Sequence, residues 1–249
     1  MNSRTILVII QVRLSSNRLP AKALLPLAGM PCIVLCALRA ANTGLPVIVT
    51  TSIKEEDGII AHILQEQGIS CVRGSLEDVL SRFSKAAVGL TSDDLIIRLT
   101  ADNTFPDGHF LGLLLKEFNS ELYDYLGTSS PADGLPYGLS AEIFTVKALR
   151  AADQQANTKF DREHVTPFMK RNFRAKQFIF KHALPTWHSL RCTLDNYDDY
   201  LLLFTIFQHV NATKISWWEL VEKLAEFNAS STILAPRTTS LIKESQDAL

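Results

Sequence analysis

The chain of 249 residues has room for one large α/β domain or two small ones, and its 47% hydrophobic residues are enough for a full core. Charged residues make up 20% and the formal net charge is -1, which argues against disorder and against a nucleic-acid-binding surface. No apolar run approaches the length of a membrane span, and the N-terminus is a short polar lead rather than a signal peptide. We therefore expect a cytoplasmic protein that binds neither nucleic acid nor membrane.

The first predicted element, residues 6–12, is an almost unbroken aliphatic run, which is typical of a strand buried on both faces of a parallel sheet. A polar, positively charged segment follows directly, in which Arg13, Ser16, Arg18 and Lys22 stand among small polar residues. At the carboxyl end of a buried strand, such a loop suits a polyphosphate, since hydroxyl and N–H groups hold oxygens between fixed positive charges. The alternative is a solvated basic loop without a ligand.

Helices and strands are predicted to alternate after this loop, with short Gly/Pro turns between them. Helices are expected at residues 30–41, 55–67 and 75–88, and strands at 47–51, 70–72 and 94–99. This alternation predicts an α/β fold with a doubly wound, mostly parallel sheet and right-handed crossovers. The four cysteines form no CxxC pair, so we expect small buried side chains and neither zinc nor a disulfide.

The second half predicts an extension of this sheet. Strands are expected at residues 121–127, 139–145, 176–182 and 190–194, followed by helices at 200–209 and 216–227. We interpret residues 1–227 as a single domain whose segment 129–194 forms a small β extension suited to a second subunit. Residues 228–249 turn to Ser, Thr, Ala and charge, and we interpret them as a polar C-terminal tail, loosely held or bound to a partner.

Asp102 falls just past the predicted strand at residues 94–99, at the carboxyl edge of the sheet. A carboxylate that faces a triphosphate there is what Mg²⁺ needs, because magnesium prefers one or two carboxylates together with phosphate oxygens. The alternative is that Asp102 caps a turn or a helix.

The spacing in the basic loop carries a resemblance to a known family. The pattern is Arg-x-x-Ser-x-Arg-Leu-Pro-x-Lys-x-Leu, formed by Arg13, Ser16, Arg18, Leu19, Pro20, Lys22 and Leu24. It resembles the loop of the sugar cytidylyltransferases, which make CMP-linked ulosonic and sialic acids. Within that family the chain resembles most the branch called spore coat polysaccharide biosynthesis protein F. The resemblance extends in five ordered blocks to about Gln208. Two other phosphate-binding motifs, the dinucleotide fingerprint and the Walker-type P-loop, are absent from the sequence.

The resemblance implies a nucleotide-diphospho-sugar transferase-like fold and an enzyme of the nucleotidyltransferase class. This enzyme would use Mg²⁺ to transfer CMP from CTP to a sugar acid or related acceptor, with release of pyrophosphate, in surface polysaccharide biosynthesis. It also implies a homodimer. Asp195 matches the position of a second magnesium ligand, so that Asp102 and Asp195 would close on one ion.

The resemblance also assigns roles to individual residues. The implied catalytic residues are Arg13, Lys22, Asp102 and Asp195. The implied nucleotide-binding residues are Arg13, Ser16, Arg18, Lys22, Arg73, Ser75, Asp78 and Asp102, with Arg82 ranked below them for base or ribose contacts. The implied acceptor-binding residues are Glu142, Arg162 and His164.

The chain departs from the family pattern near the expected acceptor. Ala101 stands for Gly, Asn103 for Cys and Thr104 for Pro, and Ser140 replaces an Asp before the retained Glu142. If that missing carboxylate positions the acceptor, this protein takes a different acceptor or works poorly.

Two other classes of protein are compatible with this sequence. One is a glycosyltransferase of the related nucleotide-sugar fold, although this chain has adjacent acidic pairs rather than Asp-x-Asp. The other is a catalytically weak nucleotide-binding module, which only the departures support.

Overall fold

The structure is a computed structural model that describes residues 4–234, with side chains as far as residue 230. The strands in this part of the chain are β1 (Ile6–Gln11), β2 (Pro26–Leu27), β3 (Met30–Pro31), β4 (Val47–Ser52), β5 (Ser70–Gly74), β6 (Leu95–Thr100), β7 (Tyr125–Gly127), β8 (Glu142–Thr145) and β9 (Ala175–Gln177). The helices are α1 (Cys32–Ala40), α2 (Gly58–Glu66), α3 (Val79–Ala86), α4 (Gly108–Glu117), α5 (Val146–Gln155), α6 (Lys159–His164), α7 (Pro167–Asn172), α8 (Tyr197–Phe207) and α9 (Trp217–Leu234).

A seven-stranded sheet in the order β5-β4-β1-β6-β8-β7-β9 forms the centre of the fold, and β2 and β3 make a separate antiparallel ribbon. Within the described residues, β8 alone runs against the other strands of the large sheet. The prediction of a doubly wound, mostly parallel α/β sheet is therefore confirmed.

The aliphatic run of β1 is explained by two apolar cores, one on each face of the sheet. Val8 and Ile10 pack into the core that includes α1, α4, α8 and α9. Leu7 and Ile9 pack into the core that includes α3, α5 and α7. Because successive side chains of a strand point to opposite faces, a strand covered on both faces carries no polar alternation.

The carboxyl ends of β1 and β6 bring the two predicted polar segments together. Gln11, the last residue of β1, is paired in register with Thr100, the last residue of β6. The basic loop after β1 and the segment of Asp102 after β6 therefore leave the same edge of the sheet side by side.

The late segments differ from the prediction. Residues 190–194 were expected to form a strand, but they make only isolated bridges, Asn103 with Thr193 and Tyr137 with Arg191. The chain there lies between two loops, since the N–H of Cys192 donates to Tyr137 and the N–H of Leu194 donates to Asp102. The strand predicted at 176–182 is limited to β9, and the helices α4 to α7 were not predicted.

The end of the described chain also differs, because α9 continues through Leu234 instead of ending at residue 227. The remainder of the predicted tail, residues 235–249, lies outside the described residues. No helix in the described part is long and apolar enough to cross a membrane.

Candidate active site

Two adjoining cavities open at the carboxyl edge of the sheet. The first has a volume of about 440 Å³ and takes most of its lining from the basic loop, the start of α3 and the segment after β6. The second has a volume of about 360 Å³ and takes most of its lining from the connection between β7 and β8, whose hydroxyl-bearing residues there are Thr128, Ser129, Ser130, Tyr137 and Ser140. Arg18, Thr100 and Asp102 line both cavities and so form a shared wall.

A buried carboxylate holds the basic loop in place. Asp57 is 1% exposed, and its Oδ1 accepts from the N–H of Leu14 at 2.8 Å while its other oxygen accepts from the Ser52 hydroxyl. The loop closes on itself because the N–H of Ala21 donates to the Leu14 carbonyl at 3.0 Å. Ala21 adopts the left-handed backbone conformation, with φ of 56°, at the point where the chain turns into the short helix carrying Lys22.

Lys22 brings the two predicted acids together. Its Nζ donates to Asp102 Oδ2 at 2.8 Å, to Asp195 Oδ1 at 3.0 Å and to the Leu194 carbonyl at 2.7 Å. Burial alone would lower the pKa of Lys22, but the charges and hydrogen bonds of Asp102 and Asp195 raise it above its ordinary value. The ammonium is therefore a permanent positive charge between two carboxylates.

Asp195 is more enclosed than Asp102, with 4% of its side chain exposed against 27%. Arg18 donates to its Oδ1 at 2.7 Å, and Arg191 donates to its Oδ2 at 2.7 Å. Burial would raise the pKa of Asp195, but hydrogen bonds from Lys22 and Arg191 and the nearby charge of Arg18 bring it below its usual range. Asp195 therefore stays ionised at neutral pH.

The start of α8 fixes Asp195. Asn196 and Asp199 form a capping box at its first turn, and Asp199 Oδ2 also accepts from the backbone N–H of Asp195 at 2.8 Å. Arg191 joins this cap, since its Nε donates to Asp199 Oδ1 at 2.8 Å. The hydrogen bonds that Arg191 donates to Asp199 raise the pKa of Arg191.

The carboxylate pair fits a hard divalent cation by its chemistry. Asp102 and Asp195 already converge on one positive charge, that of Lys22, and carboxylate oxygens are the ligands that Mg²⁺ prefers. Within residues 4–234, no three His, Cys, Asp or Glu side chains gather into a metal-binding cluster.

Arg13 and Ser16 line the first cavity, as expected for residues of the basic loop. Arg13 is ion-paired with Glu163 at 3.2 Å, and both side chains are about two-fifths exposed, at 43% and 41%. His164 lines the same cavity and lies against the Phe160 ring, with 4.5 Å between the ring centroids.

Arg73, Ser75 and Asp78 lie outside the residues that line the two cavities. Arg73 donates to the carbonyls of Ser52 and Lys54, at 2.9 and 2.8 Å. Asp78 caps α3 by accepting from the N–H of Ser81 at 3.0 Å.

Arg162 and Glu142 are held by other protein groups. Arg162 is ion-paired with Asp78 at 2.8 Å and with Asp153 at 2.6 Å. Glu142 is buried and forms an ion pair with Arg98 on the neighbouring strand.

Two of the departures from the family pattern contact each other. The Asn103 side-chain amide donates to Ser140 Oγ at 2.8 Å and to Thr100 Oγ1 at 3.1 Å, and all three residues line the second cavity. Of the other two departures, Thr104 is buried, and Ala101 is 6% exposed with its carbonyl accepting from the thiols of Cys32 and Cys36. Asn103 and Ser140 therefore form one coupled change in the wall of the second cavity.

Sequence reasoning missed Asp57 and Arg191 as parts of this site. Arg191 stands four residues before Asp195 and eight before Asp199. Once Asp195 is considered a metal ligand, this spacing indicates that Arg191 can form an ion pair with it. Asp57 carries no such signal, because it lies 43 residues from the loop residue it holds.

An α/β sheet with a cation-lined cavity at the ends of its central parallel strands, beside paired carboxylates, is the layout of a nucleotidyltransferase. Comparison with known proteins supports this class. A family model described as cytidylyltransferase matches residues 7–224. The chain belongs to the cytidylyltransferase family and is a nucleotidyltransferase.

Relatives agree with this assignment over most of the chain. The spore coat polysaccharide biosynthesis protein SpsF of Bacillus subtilis is 29% identical over 212 residues, which cover 82% of this chain and 86% of that protein. A cytidylyltransferase from Leptospira borgpetersenii has a similar fold, with a TM-score of 0.81, 24% identity and coverage of 96% and 100%. CMP:2-keto-3-deoxy-manno-octonic acid synthetase complexed with CTP aligns with a TM-score of 0.62 and 15% identity, over 82% of this chain and 98% of that one.

Proposed function

We propose that this protein transfers CMP from CTP to a sugar acid or related acceptor, with release of pyrophosphate, in surface polysaccharide or glycoconjugate biosynthesis. The observation that carries the proposal is the convergence of Asp102 and Asp195 on Lys22, at the wall shared by the two cavities. The family membership supports the reaction, and the names of SpsF and of the CTP-bound synthetase support the pathway and the nucleotide.

The first cavity suits the triphosphate. Nucleotidyl transfer needs the triphosphate held straight, its charge neutralised and the acceptor oxygen placed in line with the α-phosphorus. Arg13, Arg18 and Lys22 would neutralise the phosphates and the leaving pyrophosphate, while Ser16 offers a hydroxyl to their oxygens. Arg18 is well suited to this change of partner, because 67% of its side chain is exposed even while it pairs with Asp195.

Asp102 and Asp195 would hold Mg²⁺, which supplies stabilisation of the charge that develops on the α-phosphate and the acceptor oxygen. The carboxylates are themselves pre-organised for this task. The capping box at the start of α8 fixes Asp195, and Lys22 fixes both acids relative to the basic loop.

The second cavity suits a polyhydroxylated acceptor. Residues that carry hydroxyl groups line it, among them Thr128, Ser129, Ser140 and Thr193, and they would exchange hydrogen bonds with the hydroxyl groups of the acceptor. Glu142 lines a third, smaller cavity that shares Thr100, Thr128 and Ser140 with the second one. Arg162 is held by Asp78 and Asp153, and His164 lies in the first cavity, so contacts of Glu142, Arg162 and His164 with the acceptor stay predictions.

Several expectations from the sequence stay predictions. They are nucleotide contacts by Arg73, Ser75 and Asp78, a single domain at residues 1–227, a homodimer built through residues 129–194, and a cytoplasmic location. Sedimentation at several protein concentrations would test the dimer.

Calorimetric binding of CTP, UTP, ATP and GTP, with and without Mg²⁺, tests the proposal. Tight binding of CTP that requires Mg²⁺ is expected, and both Asp102→Asn and Lys22→Ala should lose it, because each removes a charge that the triphosphate complex needs. Asp93→Asn, at an exposed site away from both cavities, is the matched control and should bind as the unchanged protein does. A screen for pyrophosphate release over sugar acids then identifies the acceptor.

The outcomes separate the candidate functions. Preference for another nucleotide would keep the reaction and change the product. A protein that binds no triphosphate contradicts the proposal, and binding that Mg²⁺ barely improves, without pyrophosphate release, identifies a nucleotide-binding module.

The coupled pair Asn103 and Ser140 is expected to act on the acceptor alone. Ser140→Ala removes the oxygen that accepts from the Asn103 amide, so the KM for the acceptor should rise about 5- to 10-fold, the worth of one hydrogen bond. Affinity for CTP should stay the same, because neither side chain lines the first cavity. Steady-state kinetics with each substrate varied in turn checks this. An equal rise in the KM for CTP and in the KM for the acceptor would argue against separate cavities.

A further inference from the structure

Two buried cysteines on consecutive turns of α1 converge on the backbone beside Asp102. Cys32 is 0% exposed and Cys36 is 3% exposed, and their thiols donate to one acceptor, the Ala101 carbonyl, at 3.2 and 3.3 Å. Cys36 also reaches the Asn103 carbonyl at 3.5 Å. The residues before and after Asp102 are therefore both held by thiols that lie more than 60 residues earlier in the chain.

The Ala101 carbonyl lies where the sheet no longer supplies donors. Ala101 follows the last residue of β6, and its own N–H still donates to the Gln11 carbonyl of β1 at 3.1 Å. A buried carbonyl needs a donor, because an acceptor taken out of water without one costs the desolvation of that group. A hydrogen bond with Cys36 and burial raise the pKa of Cys32 well above its ordinary value, so this thiol keeps the proton that it donates.

Cys32 also connects the segment of Asp102 with that of Lys22. Its backbone N–H donates to the Leu25 carbonyl at 3.0 Å, and the N–H of Leu25 donates to the Lys22 carbonyl at 3.2 Å. Its thiol holds Ala101. The backbones of Lys22 and Asp102 are thus joined through α1 as well as by the ion pair of their side chains.

These backbone contacts become decisive when a nucleotide binds. In the ligand-free protein, Lys22 orients one oxygen of the Asp102 carboxylate at 2.8 Å. In the proposed reaction Lys22 neutralises phosphate, so this contact weakens as the triphosphate enters. Asp102 is then held by its neighbours' bonds to the thiols and by its own carbonyl, which accepts from the N–H of Leu194 at 2.8 Å.

We propose that Cys32 and Cys36 are positioning residues, which fix the Asp102 carboxylate where it would meet Mg²⁺ together with Asp195. This role rests on the proposed function. A carboxylate whose backbone is fixed loses little conformational freedom when it binds an ion, so its pre-organisation contributes to affinity. The thiols act through the backbone, since neither cysteine is among the residues that line the first and second cavities.

Calorimetric titration of CTP at a series of Mg²⁺ concentrations tests this role with Cys32→Ala, Cys36→Ala and the double variant. Each single variant leaves the Ala101 carbonyl with one donor, so the Mg²⁺ concentration for half-maximal CTP affinity should rise only about 2- to 3-fold. The double variant leaves that carbonyl with neither thiol. Its rise should be about 10- to 30-fold, more than the product of the two single effects.

Val34→Ala is the matched control, because Val34 lies between the two cysteines on α1 and is 1% exposed. The substitution removes buried volume and no hydrogen bond. Thermal unfolding of the ligand-free protein should show a lower Tm for Val34→Ala and for the double cysteine variant, since both leave space in the core. The Mg²⁺ requirement should rise in the cysteine variants and stay unchanged in Val34→Ala.

The results distinguish failure of the proposed function from failure of this role. If the unchanged protein binds no CTP, or binds it without any need for Mg²⁺, the proposed function fails and the role of the thiols fails with it. If Mg²⁺ is needed and the double variant needs no more of it than the unchanged protein, the positioning role alone is overturned. An equal rise for Val34→Ala would also overturn it, because the packing of α1 would then explain the effect.

Discussion

Asp195→Asn is expected to lower the rate of CMP transfer by about 10³-fold at saturating CTP, the upper end of what one pre-organised charged contact contributes. The substitution keeps the shape of the side chain and removes the charge that Lys22, Arg18 and Arg191 share. Lys22 would then be paired with Asp102 alone, and the two side chains would carry too little negative charge to hold a divalent ion. The rate of pyrophosphate release, measured with the acceptor found in the screen, checks this.

Asp198→Asn is the matched control for that measurement. Asp198 is exposed in the first turn of α8, so the same chemical change falls three residues away and outside the cavities. Its rate should stay within twofold of the unchanged protein. An Asp195→Asn protein that transfers CMP at the normal rate would contradict the assignment of the carboxylate pair.

Glu142→Gln is expected to destabilise the fold by about 3–5 kcal/mol, the usual cost of removing one partner of a buried ion pair. Glu142 on β8 pairs with Arg98 on β6 and accepts from Tyr125 Oη at 2.5 Å, Thr166 Oγ1 at 2.9 Å and Lys170 Nζ at 2.7 Å. The amide would leave Arg98 buried without a counter-charge. Urea unfolding at pH 7 measures the loss.

The loss of stability caused by Glu142→Gln is expected to depend on pH. Burial would raise the pKa of Glu142, but Arg98 and Lys170 lower it from 4.5 to about 2. A carboxylate with a depressed pKa stabilises the fold above its unfolded pKa and loses that contribution as the pH falls through the folded one. The difference between Glu142→Gln and the unchanged protein should therefore shrink between about pH 4.5 and pH 2.

Glu117→Gln provides the comparison, since Glu117 forms an exposed pair with Lys176 at 3.4 Å. Such pairs contribute less than about 1 kcal/mol, so the urea midpoint should hardly move. If Glu142→Gln unfolds at the same urea concentration as Glu117→Gln, the network around Glu142 carries no stability.

The central part of the fold was predictable because its signals are local. The run at residues 6–12 predicts a strand covered on both faces, and the structure has β1 between two apolar cores. Asp102 was placed at the edge of the sheet from the end of an apolar strand, and it lies there beside Lys22. Both inferences need only the rule that parallel strands present their carboxyl ends together.

Tertiary contacts decide what could not be predicted. Residues 190–194 have the composition of a strand, but their backbone groups bond to the loops of Tyr137 and Asp102 instead of to a neighbouring strand. Arg73 follows the family pattern, and in the structure two of its nitrogens donate to the carbonyls of Ser52 and Lys54, which the pattern does not predict. A pattern of residue types does not show which acceptors the rest of the chain brings within reach.

The wall shared by the two cavities has a consequence for the end of the reaction cycle. Arg18, Thr100 and Asp102 face both compartments, so each substrate would enter by making contacts in one of them. The joined product would contact both cavities, so it would have to lose its contacts in both cavities to leave. Pyrophosphate would contact only the basic loop and would lose only those contacts. This asymmetry favours departure of the joined product as the slow step of turnover.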